Sequence, residues 1–379
     1  MGITFTEELK RVIGRRFAIV EHVKETLSSG KESITIDIFR VIPLSPGNVE
    51  GGFRELYREL IPRGYYPQLR LVDGSYYLRL YNIGNERGFR AMTVLLLMVV
   101  TIVTVGITSY IWYRSDLALS ERGNIVTEAY RLGPLYIAVL TLSILGPLAI
   151  HEMGHYIASR ILRVPATPPY FIPGVPGIGL GTFGAVILMR FTPAVSDDLA
   201  IVAISGPLAG FIAIIAVTLY GISTSYIVPR EILTVGFEEI RFTPLLFAMM
   251  VDQIALQGSN NLVILNPVAY AGYFLMLIHF LNLLPVAQLD GGQVLRSLVG
   301  LRMHTAIGVL TTFSVVVASL ILRIDILYTI AFFLVFILLL TGLRPHPGPA
   351  YSEARPGRGA VLASILWILM LALTIPIPA

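Results

Sequence analysis

Residues 134–159 read PLYIAVLTLSILGPLAIHEMGHYIAS. The stretch exceeds the roughly 20 apolar residues that cross the ~30 Å hydrocarbon core of a bilayer. Its last third carries His151, Glu152 and His155 within an otherwise apolar run. Ionisable groups inside a span are costly and are functional by default. Histidines at i and i+4 share one helix face, so both imidazoles reach a common point.

Working outward, the composition agrees with a bilayer-embedded chain. Of 379 residues, 55% are hydrophobic and 14% charged, and the mean hydropathy is +0.74. A soluble chain carries about 25% charged residues. Charge is concentrated at the front: residues 1–90 hold 14 of the 28 Lys+Arg and 11 of the 24 Asp+Glu. No basic run is long enough to suggest a nucleic-acid partner. The absence of cysteine excludes disulfides and thiolate ligands, so a metal would rest on His, Asp or Glu. The polar start predicts no cleavable secretory signal.

These patterns predict a mainly α fold, a polytopic membrane helical bundle with a membrane-associated β-hairpin and a small α+β N-terminal domain. The domain boundaries are 1–90 and 91–379, and the motifs read below, with the catalytic core that a family resemblance implies, lie at about 134–300. In the front domain, Phe5–Leu27 has helical spacing and Ser33–Val41 alternates as a strand. Val49–Ile61 reads as a second helix, and Gln68–Val72 and Ser75–Tyr81 flank an Asp73-Gly74 turn, giving the order α-β-α-β-β. About seven apolar segments follow, at 91–113, 134–159, 198–220, 267–290, 303–322, 325–342 and 360–378, with a tight turn at Arg323–Asp325. Residues 242–257, interrupted by Asp252, Gln253 and Gln257, read as an interfacial or re-entrant helix. Residues 164–190 and 344–358 read as linkers. With the N-terminus inside, inner loops hold eight arginines against six outside, or eleven with Arg79, Arg87 and Arg90. This bias predicts a cytosolic N-terminus and an outside C-terminus.

His151 and His155 form two thirds of a metal-ligand set, and Glu152 stands where it can act as general base toward a water. The third ligand is expected from the end of the fourth segment, NLLPVAQLDGG at 282–292. Asp290 is the strongest candidate, because Pro285 interrupts the helix and Gly291 and Gly292 permit close backbone approach. His151 lies roughly 24 Å along its segment and Asp290 about 30 Å along its own, less what Pro285 removes. The two segments run in the same direction, so the ligands meet at similar depth. His279, about 16 Å before Asp290 on a straight helix, is predicted to lie outside the site. Ser205-Gly206-Pro207-Leu208-Ala209-Gly210 is read as close packing against the catalytic segments.

HEMGH within a span, followed by N-x-x-P-x-x-x-L-D-G, resembles the site-2 protease family of intramembrane zinc metalloproteases. The soluble front and Gly181-Thr182-Phe183-Gly184-Ala185 are most similar to its archaeal and chloroplast-type branch. The resemblance implies one Zn²⁺ held by His151, His155 and Asp290, with Glu152 as base and Asn282 near the substrate or oxyanion. It also implies a membrane-protein substrate with a transmembrane helix. A helical substrate must unwind before attack, and a hairpin at Gly179–Met189 offers an edge for it through Gly181, Thr182, Phe183 and Gly184. The alternatives are a metal-handling transporter, for which no inverted repeat is visible, an inactive homologue acting as a membrane-protein binding module, and a prenyl-protein-processing type of membrane protease, whose Glu-based third ligand has no counterpart after residue 155.

Overall fold

The computed structural model describes residues 2–29, 32–83, 90–123, 126–229, 240–256, 261–342 and 344–378. Arg87, Gln257 and Arg230, the last counted among the six outside arginines, lie outside them.

The front domain runs α1 (Gly2–Gly14), β1 (Phe17–Ser29), β2 (Glu32–Pro43), α2 (Val49–Leu60), β3 (Tyr65–Val72) and β4 (Ser75–Asn82). The order is α-β-β-α-β-β, which corrects the helix expected over Phe5–Leu27. The helix ends at Gly14, and Phe17 onward alternates, with Phe17 buried, Ala18 exposed, Ile19 half-buried and Val20 exposed. Pairing with β2 from Phe17↔Pro43 to Ser29↔Glu32 overrides the weaker helical spacing. The sheet is antiparallel, in the order β1-β2-β4-β3. Amphipathic α2 packs Phe53, Leu56, Tyr57 and Leu60 onto it.

This core is completed by residues far along the chain. Ala194, Val195, Ala350 and Tyr351 are buried in the same cluster. The linker at 344–358 adds to the β3 edge: the Leu69 amide donates to the Ala350 carbonyl at 3.2 Å, and Tyr351 pairs with Leu69 in parallel. The Ala350 and Tyr351 amides donate in turn to the Pro193 and Ala194 carbonyls at 2.8 and 2.9 Å. The Tyr57 hydroxyl donates to the Thr192 carbonyl at 2.9 Å, and Arg54 Nε donates to Asp198 at 3.2 Å. Burial, then Arg296, lowers the His346 pKa to about 3, so the linker carries a neutral imidazole. Arg296 itself donates to the carbonyls of His346, Val299 and Pro347. Tyr351→Ala removes a large buried side chain from this junction, a class of change that costs about 3 kcal/mol or more. It is expected to make residues 1–90 markedly more susceptible to limited proteolysis; unchanged digestion would refute a joint core.

The membrane body comprises α3 (Ala91–Gly123), short α4 (Glu128–Leu132), α5 (Leu135–Ile161), β5 (Tyr170–Pro173), β6 (Thr182–Val186), α6 (Ser196–Ser223), β7 (Tyr226–Pro229), β8 (Phe242–Pro244), α7 (Leu245–Val251), β9 (Asn261–Ile264), α8 (Pro267–Leu283), α9 (Asp290–Leu298), α10 (Leu301–Leu322), α11 (Asp325–Leu340), α12 (Arg358–Thr374) and β10 (Pro376–Pro378). Among the described residues, α3, α5, α6 and α10 are long and apolar enough to cross a membrane; α8, α11 and α12 are apolar but shorter.

Three local readings change, and the 242–257 helix gains bounds. The 164–190 linker contains β5, which pairs with β6, so the hairpin begins at Tyr170 rather than Gly179. The 242–257 stretch yields only seven residues of α-helix followed by one π turn, Asp252–Leu256. The last segment stops at Thr374, because Pro376 and Pro378 leave the helix and form a strand that pairs with β8. The fourth segment is also not continuous to 290. Helix α8 ends at Leu283, the chain reverses through 284–289, and Asp290 opens a separate helix.

Candidate metal centre

Three pieces of chain deliver the site. Helix α5 presents His151, Glu152 and His155, all buried, on one face. Helix α6 packs tightly against that face, because Gly206 and Gly210 leave room for imidazoles. A Cβ at Gly206 would overlap the His155 ring, and one at Gly210 would lie 2.9 Å from His151 Cβ and Nδ1. Gly154 of α5 makes the reciprocal approach to the Ser205 carbonyl. The small-residue motif on α6 therefore does more than pack spans: it seats both histidines.

The third piece is the reversal after α8. Leu284 leaves the helical region, Pro285 removes a backbone donor, and Ala287 adopts a positive φ of 45°. Trp367 of α12 donates its indole N–H to the freed Leu283 carbonyl at 2.7 Å, which satisfies the helix end. A Cβ at Gly291 would collide with the Leu283 carbonyl, and one at Gly292 would lie 2.6 Å from that of Val286. Both glycines thus let α9 fold back with Asp290 at its first position.

The result is a convergence of three ligand atoms. His151 Nε2 lies 3.1 Å from Asp290 Oδ2, His155 Nε2 lies 3.3 Å from Asp290 Oδ1, and the two Nε2 atoms are 3.2 Å apart. His155 Nδ1 sits 2.8 Å from the Val202 carbonyl. Donation of its N–H there leaves the Nε2 lone pair free, the arrangement typical of a ligating histidine. The residues fit a tetrahedral cation: ligand bonds of ~2.0–2.1 Å place neighbouring donors ~3.3 Å apart. Two imidazole lone pairs and a carboxylate at this spacing are better satisfied by a cation than by one another. His151, His155 and Asp290 form a group able to hold a metal ion. Glu152, adjacent to the first histidine, is faced by the Ile187 backbone amide just beyond β6.

The other expected residues fall around this centre. Asn282 is half-buried on the last turn of α8. Gly181 is buried with a φ of 75°, where a Cβ would overlap Thr108 of α3. Thr182 Oγ1 donates to the Ile172 carbonyl at 2.8 Å, and the Gly184 amide donates back to Thr182 Oγ1 at 3.0 Å. Phe183 is 73% exposed. His279 is nearer than expected. Its ring lies 6.4 Å from that of His151 and stacks on Phe211 at 5.3 Å. The helix breaks between His279 and Asp290, so a straight-helix separation does not describe their placement. The buried His279 Nε2 has no hydrogen-bond partner among the described residues. Its position could have been anticipated only by giving the Pro285 break its full weight.

A spaced histidine pair with a carboxylate at its side, buried among apolar helices, is a donor set that can hold a metal ion. Residues 139–322 match the profile of Peptidase family M50, the site-2 proteases, which supports the resemblance read from the sequence. Curated relatives include the probable zinc metalloprotease EGY2, chloroplastic, of Arabidopsis thaliana. It is 29% identical over 44% of this chain and 29% of its own length. The probable zinc metalloprotease EGY1, chloroplastic, of the same plant is 28% identical over 45% of this chain and 31% of its own. An Oryza sativa subsp. indica EGY2 is 28% identical over 46% and 31%. The chain thus spans about a third or less of the length of these curated relatives. No solved structure matches it.

Proposed function

We propose that the chain is an intramembrane zinc metalloendopeptidase that cleaves membrane-protein substrates within a transmembrane segment. The observation that carries this reading is the convergence of Asp290 with His151 and His155 beside Glu152, the last three on an apolar helix long enough to cross a bilayer. In this reading the two Nε2 atoms and the Asp290 carboxylate hold the ion. Bound zinc would acidify water and polarise the scissile carbonyl. Glu152 takes the proton from the attacking water and passes it to the leaving nitrogen. The Ile187 amide, facing its carboxylate, orients Glu152 for that task.

The substrate must be unwound to expose its carbonyls. Strand β6 is an edge strand among the described residues, and it runs beside α5 while β5 packs on α3. An extended substrate segment adds to that edge along Gly181, Thr182, Phe183 and Gly184, and Asn282 stands by the carbonyl. We place the N-terminus in the cytosol, the C-terminus outside and cleavage toward the cytosolic side, with α8, α11 and α12 completing about seven spans. Arginine bias supports the orientation.

The test is metal content of purified protein paired with cleavage of a model single-span substrate. Wild type is expected to carry about one zinc per chain and to cleave. His151→Ala is expected to lose both. Wild type that is fully loaded and inert on unwound membrane substrates, or His151→Ala that keeps its zinc, would overturn the reading.

A further inference from the structure

Past the metal site, where α5 ends, a cleft of about 480 Å³ opens between the front domain and that helix end. It is lined by Arg16, Arg58, Arg63 and Arg163, with Glu55, Glu59, Pro62 and Ile161. The lining itself carries four arginines against two glutamates, and Glu8 reaches Arg63 from outside it at 3.9 Å. Arg15, Arg16 and Arg63 all converge on Glu59, at 3.1, 2.8 and 3.4 Å, and Arg16 also takes Glu55 at 3.0 Å. Among the described residues, Arg163 has no carboxylate within ion-pair distance; it donates to the Arg58 backbone carbonyl at 2.9 Å. The Arg58 Nε is buried and has no partner there.

Two features single this cleft out from an ordinary basic surface. Arg163 follows α5 with a φ of 59°, in the left-handed region where a helix end usually places glycine. The chain accepts that conformation with a full arginine that lines the cleft. Ile161, 72% exposed, lies two positions earlier and gives the cleft an apolar wall where a membrane-crossing helix ends. Arginines beside apolar surface at the end of such a helix match a phosphate with acyl chains attached, since basic pockets at the membrane boundary recognise anionic headgroups.

We propose that this cleft binds the phosphate of an anionic phospholipid from the adjoining leaflet, so that a lipid bridges α5 and the front domain. The guanidinium groups of Arg58 and Arg163 supply the free donors, and Ile161 and Pro62 receive the glycerol and the start of the chains.

Native mass spectrometry of the full chain in detergent, titrated with phosphatidylglycerol or phosphatidylcholine, tests it. Wild type is expected to retain one phosphatidylglycerol in clear preference. Arg58→Gln and Arg163→Gly are each expected to weaken retention about fivefold, the equivalent of ~1 kcal/mol per arginine. Arg163→Gly also relieves the backbone, so its fold is kept and loss of lipid is not loss of structure. Arg114→Gln, an exposed arginine on α3, should change nothing. Equal retention of both lipids, retention insensitive to Arg58→Gln and Arg163→Gly, or displacement by millimolar inorganic phosphate would overturn the proposal.

Discussion

Glu152→Gln is expected to keep its zinc and lose about 10²–10⁴-fold in cleavage rate, the range typical of a positioned general base. Glutamine is nearly isosteric and can still accept from the Ile187 amide, so the site should assemble normally. It cannot take a proton from water. The three ligand atoms come from His151, His155 and Asp290, and Glu152 contributes none to that group. Metal content and rate should therefore separate in this variant. Metal analysis beside single-turnover cleavage checks it; a fully loaded Glu152→Gln variant with wild-type rate would sink the general-base role.

Gly206→Ala should act in the opposite way, removing metal through a residue with no ligand atom. The added methyl would overlap the His155 ring, and that ring is already pinned by the Val202 carbonyl. Either the imidazole rotates or α5 and α6 separate. Disturbing such a support typically weakens metal affinity about 10–100-fold. Gly210→Ala presses on His151 in the same manner. Gly146→Ala is the control. It lies on α5 with open space at its Cβ, so it should leave metal binding intact and, if anything, favour the helix. Competition with a fluorescent zinc chelator reads all three. Unchanged affinity in Gly206→Ala would mean the helices yield more easily than their packing indicates.

The parts of the site that were legible in sequence are those written in local spacing. His151 and His155 fall on one face because the helical period is fixed, and Asp290 was reachable from the proline and glycines around it. What could not be read depends on contacts distant in sequence. The stop at Leu283 is secured by Trp367, 84 residues later. Without that stop, His279 looks remote from the ligands when it is their neighbour. The strand at Phe17–Ser29 has helical spacing, and only its partner β2 decides the matter. Strand β5 is likewise invisible until β6 pairs with it. Glycines 206 and 210 were visible as a packing signal, but the rings they accommodate belong to another helix.

The pair His151 and Asp290 lies 139 residues apart in the chain. An ion shared between them closes that whole length into a single loop, crossing α6 and α8 on the way. Closure entropy grows only slowly with loop size, but a long loop is where a clip restricts the unfolded chain most. Cation binding and the assembly of the helix bundle are then coupled equilibria, and each is strengthened by the other. An ion bound at such a crossing would hold the bundle closed as well as serve the proposed chemistry.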